Sequence, residues 1–259
     1  MVDMQGAWRH TLTKEQLEKM QNQPKRDFAK YNDDGSENTS YRGPNIPYEF
    51  SNNPKPGQWD GRKMSQRMIA DYKRFDVVDG EGVRNVIFVS GCPFRCKNCF
   101  QPAIFSFKTG FEYTKELEDK IIDDLKYSFV QGVTFLGGEP MLNTPTLLPL
   151  AHRIRKTYGD SKDIWCWTGY TWEELHRSGE TPDKLELLSM VDILVDGRFM
   201  QSLADPLLQF RGSSNQRIID VKKSVQEGKV HIWDKLHDEH LKIKEIGVEE
   251  RNRLETTEN

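Results

Sequence analysis

The chain has 259 residues, a formal net charge of −3, 36% hydrophobic residues and 30% charged residues. That length suits one domain with appendages, and the near-neutral charge argues against nucleic-acid binding, which wants a concentrated basic face. No apolar run approaches a membrane span, the first twenty residues lack a signal peptide's apolar core, and four cysteines in so long a chain suit a reducing cytoplasm rather than a disulfide framework.

Residues 1–52 are polar and broken by turn-formers such as Asn32-Asp33-Asp34-Gly35-Ser36 and Gly43-Pro44. They read as a loosely ordered extension that buries little, with one short helix over 13–21 where Thr13 caps and Gln16 closes a capping box. Asn53-Pro54-Lys55-Pro56-Gly57 reads as a linker into a domain over 53–235. Strands are expected over 85–90, 132–136, 164–167, 191–196, 217–221 and 230–233. Between them fall four helices. Thr114 caps one with Leu117, Ile121, Ile122 and Leu125 on one face; another covers 144–157 with Leu147, Leu148, Ala151 and Ile154 inward. A capping box at Thr171-Trp172-Glu173-Glu174 opens the third, and Pro182 starts the fourth, which runs to about 190. Short apolar strands separated by amphipathic helices predict an α/β fold with a parallel sheet. Residues 236–259 are charged and read as a solvated helix or a frayed tail.

One stretch organises the rest. Gly91-Cys92-Pro93-Phe94-Arg95-Cys96-Lys97-Asn98-Cys99-Phe100 holds three of the four cysteines at C-x₃-C-x₂-C. That spacing lets three thiolates converge on one inorganic centre. Structural zinc wants four ligands and iron–sulfur cubes usually take four thiolates, so three leave a metal position open for a substrate or cofactor. Cys166, on the third expected strand, reads as a buried small hydrophobe, because a fourth thiolate would close that position.

Three further motifs also follow strands, at the end where parallel α/β folds bind ligands. Gly137-Gly138-Glu139-Pro140 is either a tight turn or a place where the backbone approaches a ligand. In Trp167-Thr168-Gly169-Tyr170, Thr168 can hydrogen-bond a cofactor, while Trp167 and Tyr170 suit a wall or the core. Asp196 and Arg198 share a face if the chain there is extended. They either hold the loop or match a zwitterion bearing an ammonium and a carboxylate. Gly80-Glu81-Gly82-Val83-Arg84 and Arg211-Gly212-Ser213-Ser214-Asn215-Gln216-Arg217 receive no atom-level role from the sequence.

The cysteine loop with its following aromatic, Ile69-Ala70-Asp71-Tyr72, the segment from Val78 to Asn85, Gly137-Gly138-Glu139-Pro140, Trp167-Thr168-Gly169-Tyr170 and the segment from Phe210 to Arg217 together resemble the anaerobic ribonucleoside-triphosphate reductase activating proteins, of the radical S-adenosylmethionine superfamily. The resemblance spans about residues 53–235. It implies a partial (β/α)6 barrel and a [4Fe–4S] cluster on Cys92, Cys96 and Cys99, with one open iron chelated by S-adenosyl-L-methionine. The cofactor-binding residues it implies are Asn98, Cys99, Phe100, Gly137, Gly138, Glu139, Thr168, Asp196 and Arg198, with no catalytic residue beyond cluster and cofactor. The implied activity is reductive cleavage of S-adenosylmethionine to a 5′-deoxyadenosyl radical, which makes a glycyl radical on the large subunit of the anaerobic reductase. A flavodoxin-like or similar protein supplies the electron. Two alternatives stay open: an activating enzyme of pyruvate formate-lyase or another glycyl-radical enzyme, and a non-catalytic zinc-stabilised interaction module with Cys166 as fourth ligand.

Overall fold

The computed structural model describes residues 53–238; the helix expected over 13–21 and the tail beyond 238 lie outside the described residues. A mixed sheet of seven strands forms the frame: β1 (Met68–Asp76), β2 (Val83–Val89), β3 (Phe111–Glu112), β4 (Val130–Gly137), β5 (Asp163–Trp167), β6 (Ile193–Asp196) and β7 (Arg217–Asp220). Their spatial order is β3-β1-β2-β4-β5-β6-β7, and the sheet does not close on itself. β2, β4, β5 and β6 run parallel, as the alternation of strand and helix requires.

Both edges correct the all-parallel expectation. β1, which the sequence reading left without a structure, pairs antiparallel with β2 and with β3. β7 pairs antiparallel with β6, register Asp196↔Arg217, so the segment expected as a fifth parallel strand returns instead along its neighbour. The expected sixth strand over 230–233 reduces to one bridge, Ile219↔Ile232.

The helices are α1 (Gly61–Met64), α2 (Lys115–Asp124), α3 (Thr144–Tyr158), α4 (Trp172–Leu175), α5 (Pro182–Ser189) and α6 (Val221–Glu227). Thr114 caps α2 by accepting the Leu117 N–H. Both halves of the Thr171–Glu174 capping box form, yet α4 lasts one turn. In α3, Leu147, Leu150, Ala151 and Ile154 are fully buried; Leu148, expected inward, is only half-buried.

Period-two alternation sorts the strand side chains into two cores. Ile87, Val89, Val133, Phe135, Ile164, Cys166, Leu194 and Ile219 face the helices, with Ile121, Leu147 and Leu187. Trp165, Ile193, Val195 and Ile218 face the other way and pack with Trp233. On that second face Arg84 is fully buried. It donates to Thr134 Oγ1 at 2.9 Å, the Glu81 carbonyl at 3.0 Å and the Val133 carbonyl at 3.0 Å, pairs with Asp163, and lies over the Trp165 ring. The Gly80–Arg84 stretch thus builds the start of β2 at the end of the sheet away from the cysteines. No helix among the described residues is long and apolar enough to cross a membrane.

Candidate metal and cofactor site

Because four strands run parallel, the loops after β2, β4, β5 and β6 gather at one end of the sheet, and each carries a motif. The loop after β2 holds Cys92, Cys96 and Cys99, all free of disulfides and half-buried, while Cys166 is buried. Two residues with left-handed backbone, Arg95 at φ 49° and Asn98 at φ 55°, turn the chain between the cysteines. The Cys92 N–H donates to the Phe105 carbonyl at 3.0 Å and the Cys99 N–H to the Cys96 carbonyl at 3.1 Å, while the Cys92 thiol accepts from the Phe94 and Arg95 N–H groups and the Cys96 thiol from that of Phe199. Burial pushes the Cys92 and Cys96 thiols up, with the Glu139 charge adding to the effect at Cys92. A cationic centre would offset that penalty by binding the thiolates. Among the described residues no three His, Cys, Asp or Glu side chains close on a single ion. Three thiols from one loop fit the donor set of a larger cluster with one open position.

The neighbouring loops are tied to this one. Gly138 N–H donates to the Val89 carbonyl at 2.7 Å and Glu139 N–H to the Gly91 carbonyl at 2.8 Å. Asn143 Nδ2 reaches the Ser90 carbonyl at 2.9 Å. The Glu139 carboxylate, fully buried, accepts from Thr168 Oγ1 at 2.6 Å, Gly169 N–H at 2.8 Å and Met141 N–H at 2.9 Å. Burial pushes its carboxyl up to about 7 against those donors. Phe94, from within the cysteine loop, packs at 5.0 Å ring-to-ring on Tyr170 and 5.0 Å on Trp59. Gly169 permits this: a Cβ there would stand 2.5 Å from the Phe94 ring.

Asp196 and Arg198 do not act as a pair. β6 ends at Asp196, and Gly197 at φ 96° breaks the extended run that would put both side chains on one face. Asp196 accepts from Trp172 N–H at 2.7 Å and from Arg217 Nε at 3.0 Å. Arg198 sends both terminal nitrogens to Glu174, each at 2.8 Å, and its guanidinium lies 4.4 Å over the Phe94 ring. Asn215 Nδ2 caps the Arg198 carbonyl at 2.8 Å and Gln216 Nε2 the Gly197 carbonyl at 3.0 Å, which gives the Arg211–Arg217 loop its atomic task.

The candidate residues therefore divide. Cys92, Cys96 and Cys99 lie with exposed Asn98 and Phe100 on one loop, beside half-buried Gly137 and Gly138. Phe100 is 83% exposed and sits 5.8 Å from the Phe199 ring. Glu139, Thr168, Asp196 and Arg198 are buried just beneath, in hydrogen bonds to other parts of the frame. Sequence reasoning assigns Phe94, Glu174 and Arg217 no atomic role. Phe94 and Arg217 stand in motifs without an assigned partner, and Glu174's place in the capping box points to the helix rather than to Arg198.

Residues 78–219 match a family described as a 4Fe-4S single cluster domain. Over 151 residues the chain is 46% identical to the anaerobic ribonucleoside-triphosphate reductase-activating protein of Vibrio cholerae, covering 57% of this chain and 94% of that protein. The chain belongs to the anaerobic ribonucleoside-triphosphate reductase-activating protein family. Its Escherichia coli K12 member is 40% identical over 149 residues, 56% of this chain and 93% of that protein. The member from bacteriophage T4 is 33% identical over 145 residues, 55% and 87% respectively. In each case the relative matches little more than half of this chain, so much of its length has no counterpart in them.

Proposed function

We propose that this chain activates an anaerobic ribonucleoside-triphosphate reductase by generating a glycyl radical on its large subunit. Cys92, Cys96 and Cys99 would hold a [4Fe–4S] cluster, with S-adenosyl-L-methionine as the cosubstrate. The observation that carries this reading is the split among the four cysteines: three open at the strand ends on one loop, the fourth buried against the helices on the helix-facing core. When bound together, cluster and cosubstrate would supply hydrogen-atom abstraction from glycine, the reduced cluster giving one electron to the sulfonium so that methionine leaves with the S–C5′ bond electrons shared out between it and a 5′-deoxyadenosyl radical.

The chain's own residues position and shield. Gly137 and Gly138 bring bare backbone beside the cysteines, where a bound amino acid moiety can approach closely. Asn98 and Phe100 stand at the opening and are offered to the cosubstrate. Glu139 and Thr168 lock the second and third loops together, and Asp196 and Arg198 anchor the fourth through Arg217 and Glu174. We assign these four to holding the shape of the cosubstrate pocket, because their polar groups are already engaged. The four parallel strands would then be the working part of a partial (β/α)6 barrel. Phe100 and Phe199 make an apolar lip that keeps water from a reactive centre.

Anaerobic reconstitution tests this. About four irons per chain are expected, together with methionine and 5′-deoxyadenosine from S-adenosylmethionine under reducing conditions, and a glycyl-radical resonance when the reductase large subunit is added. Iron loading without any cleavage of the cosubstrate would remove the activase reading.

A further inference from the structure

A groove of about 380 Å³ opens beside the cysteine loop, lined by Cys92, Pro93, Arg95, Phe105, Phe107 and Lys108. Its floor is aromatic and its rim is basic. Between Glu81 and Glu112 the chain carries Arg84, Arg95, Lys97 and Lys108 and not one acid. Arg84 is buried at the far end of the sheet. Arg95, Lys97 and Lys108 are exposed, and among the described residues no carboxylate pairs with any of them. Arg95 lies over the Phe105 ring, at 5.7 Å. The same chain carries the opposite charge in a second window. From Tyr31 to Tyr41 it holds Asp33, Asp34 and Glu37 and no base, with a tyrosine at each end. This window lies outside the 78–219 stretch that matches the family. Eleven residues, 42–52, separate Tyr41 from Asn53, where the described chain begins. Extended, they reach up to about 36–40 Å. The chain also enters beside the cysteine loop: six residues after Asn53, the Trp59 ring packs at 5.0 Å on Phe94, the neighbour of Pro93 in the groove wall.

We propose that the acidic window 31–41 of this chain docks in the groove. Asp33, Asp34 and Glu37 neutralise the rim of Arg95, Lys97 and Lys108, and Tyr31 and Tyr41 supply apolar contact for the Phe105 and Phe107 floor. Exposed ion pairs are individually weak. The tether offsets this, because it makes the encounter intramolecular, at an effective concentration in about the millimolar range. The acids Glu245, Glu249 and Glu250 near the other terminus match the groove less well, since Lys242, Lys244, Arg251 and Arg253 bracket them. Docked, the window covers the Cys92 side of the cysteine loop. Phe100 and Phe199 do not line the groove, so the opening beside them stays clear. The docking needs no metal centre and stands apart from the cluster reading.

The test uses the full-length protein, metal-free and reconstituted. A water-soluble carbodiimide joins carboxylates to lysines that touch them, and the products are mapped by mass spectrometry at low and high salt. The expected products are intrachain bonds from Asp33, Asp34 or Glu37 to Lys97 or Lys108, lost as salt screens the pairs. Amide hydrogen exchange over 104–108 is followed in parallel. Wild type should exchange there about tenfold more slowly than the Asp33→Lys/Asp34→Lys/Glu37→Lys variant, as a segment docked about nine-tenths of the time requires. Adding Lys108→Glu to that variant should restore part of the protection. Its melting temperature should match that of wild type, which separates lost docking from lost fold. Equal exchange in wild type and triple variant would overturn the proposal. Cross-links to Glu245, Glu249 or Glu250 in place of the window would overturn it too, by making the other terminus the occupant. So would links between isotopically heavy and light copies in a mixture, which would make the occupant a second chain.

Discussion

Arg198 and Glu174 form a two-pronged buried pair, both contacts 2.8 Å, across the gap between the loop after β6 and helix α4. With the two residues 4% and 6% exposed, neither charge can turn to water if its partner is lost. Arg198→Ala should therefore destabilise, by less than the roughly 3–5 kcal/mol of a fully stranded buried charge because Arg177 stays 3.8 Å from the same carboxylate, and Arg198→Lys should recover only part, lacking the planar fork. Urea unfolding of the metal-free protein measures this without any cofactor. A fully stable Arg198→Ala protein that has lost only its affinity for S-adenosylmethionine would show the arginine to be a ligand rather than a strut.

The cysteines should separate cleanly by metal content. Cys92→Ala, Cys96→Ala and Cys99→Ala should each abolish assembly of the cluster on anaerobic reconstitution. Cys166→Ala should keep about four irons and lose about 1 kcal/mol of stability, since it removes a packed thiol from the helix-facing core. Iron lost from the Cys166 variant alone would mean that the sulfur set has been misassigned.

His176 predicts a defined acid sensitivity. Its ring is buried, Nδ1–H donates to the Trp172 carbonyl at 2.6 Å, and Nε2 has no hydrogen-bond partner among the described residues. Burial pulls its pKa down to about 4 from an ordinary 6.5. The unfolded chain thus binds a proton that the folded one refuses. Stability from this group is complete above about pH 6.5 and falls toward pH 4, by roughly 1.4 kcal/mol per unit. Asp79 and Glu139, raised to about 6 and about 7, act in the opposite sense, so the informative quantity is the difference between wild type and His176→Gln. That difference should shrink on acidification; a gap constant from pH 7 to 5 would refute the assignment.

Truncation should reveal where the domain begins. Lys184 Nζ holds the Trp59 carbonyl at 2.6 Å, Arg177 holds that of Pro54 at 3.2 Å, and the Trp59 ring packs on Phe94. We propose that deleting residues 1–50 leaves folding and cluster assembly nearly intact, whereas deleting 1–60 removes Trp59 and loosens the cysteine loop. Calorimetric melting and iron content of the two truncations would decide between this boundary and one farther upstream.

What the sequence made legible was the chemistry of the loop and the central strands. Val86-Ile87-Phe88-Val89 before Cys92 read as a buried strand and is one, and the family match to a 4Fe-4S single cluster domain agrees with an inorganic centre on the cysteine loop. The edges were hidden because β1, after Met68-Ile69-Ala70, is mostly polar and keeps no clean period-two alternation, and because direction cannot be read from the short Arg217–Asp220 strand. The buried charges were hidden for another reason. Asp196 and Arg198, two residues apart, suggested a single pair, but one left-handed glycine sends them to Arg217 and Glu174, partners 21 and 24 positions away. Sequence spacing reports faces only while the backbone stays regular.

Most ties among the four loops run through backbone groups and through Glu139, Asn143, Thr168 and Phe94; the Cys96 sulfur adds one, accepting from the Phe199 N–H. An iron–sulfur centre with an open iron is destroyed by air. A host whose scaffold is fastened independently of that centre need not unfold when the centre is lost. On the proposed reading the cradle would stay largely assembled, so that a chain caught in oxygen could be refilled when anaerobic conditions return rather than degraded and made anew.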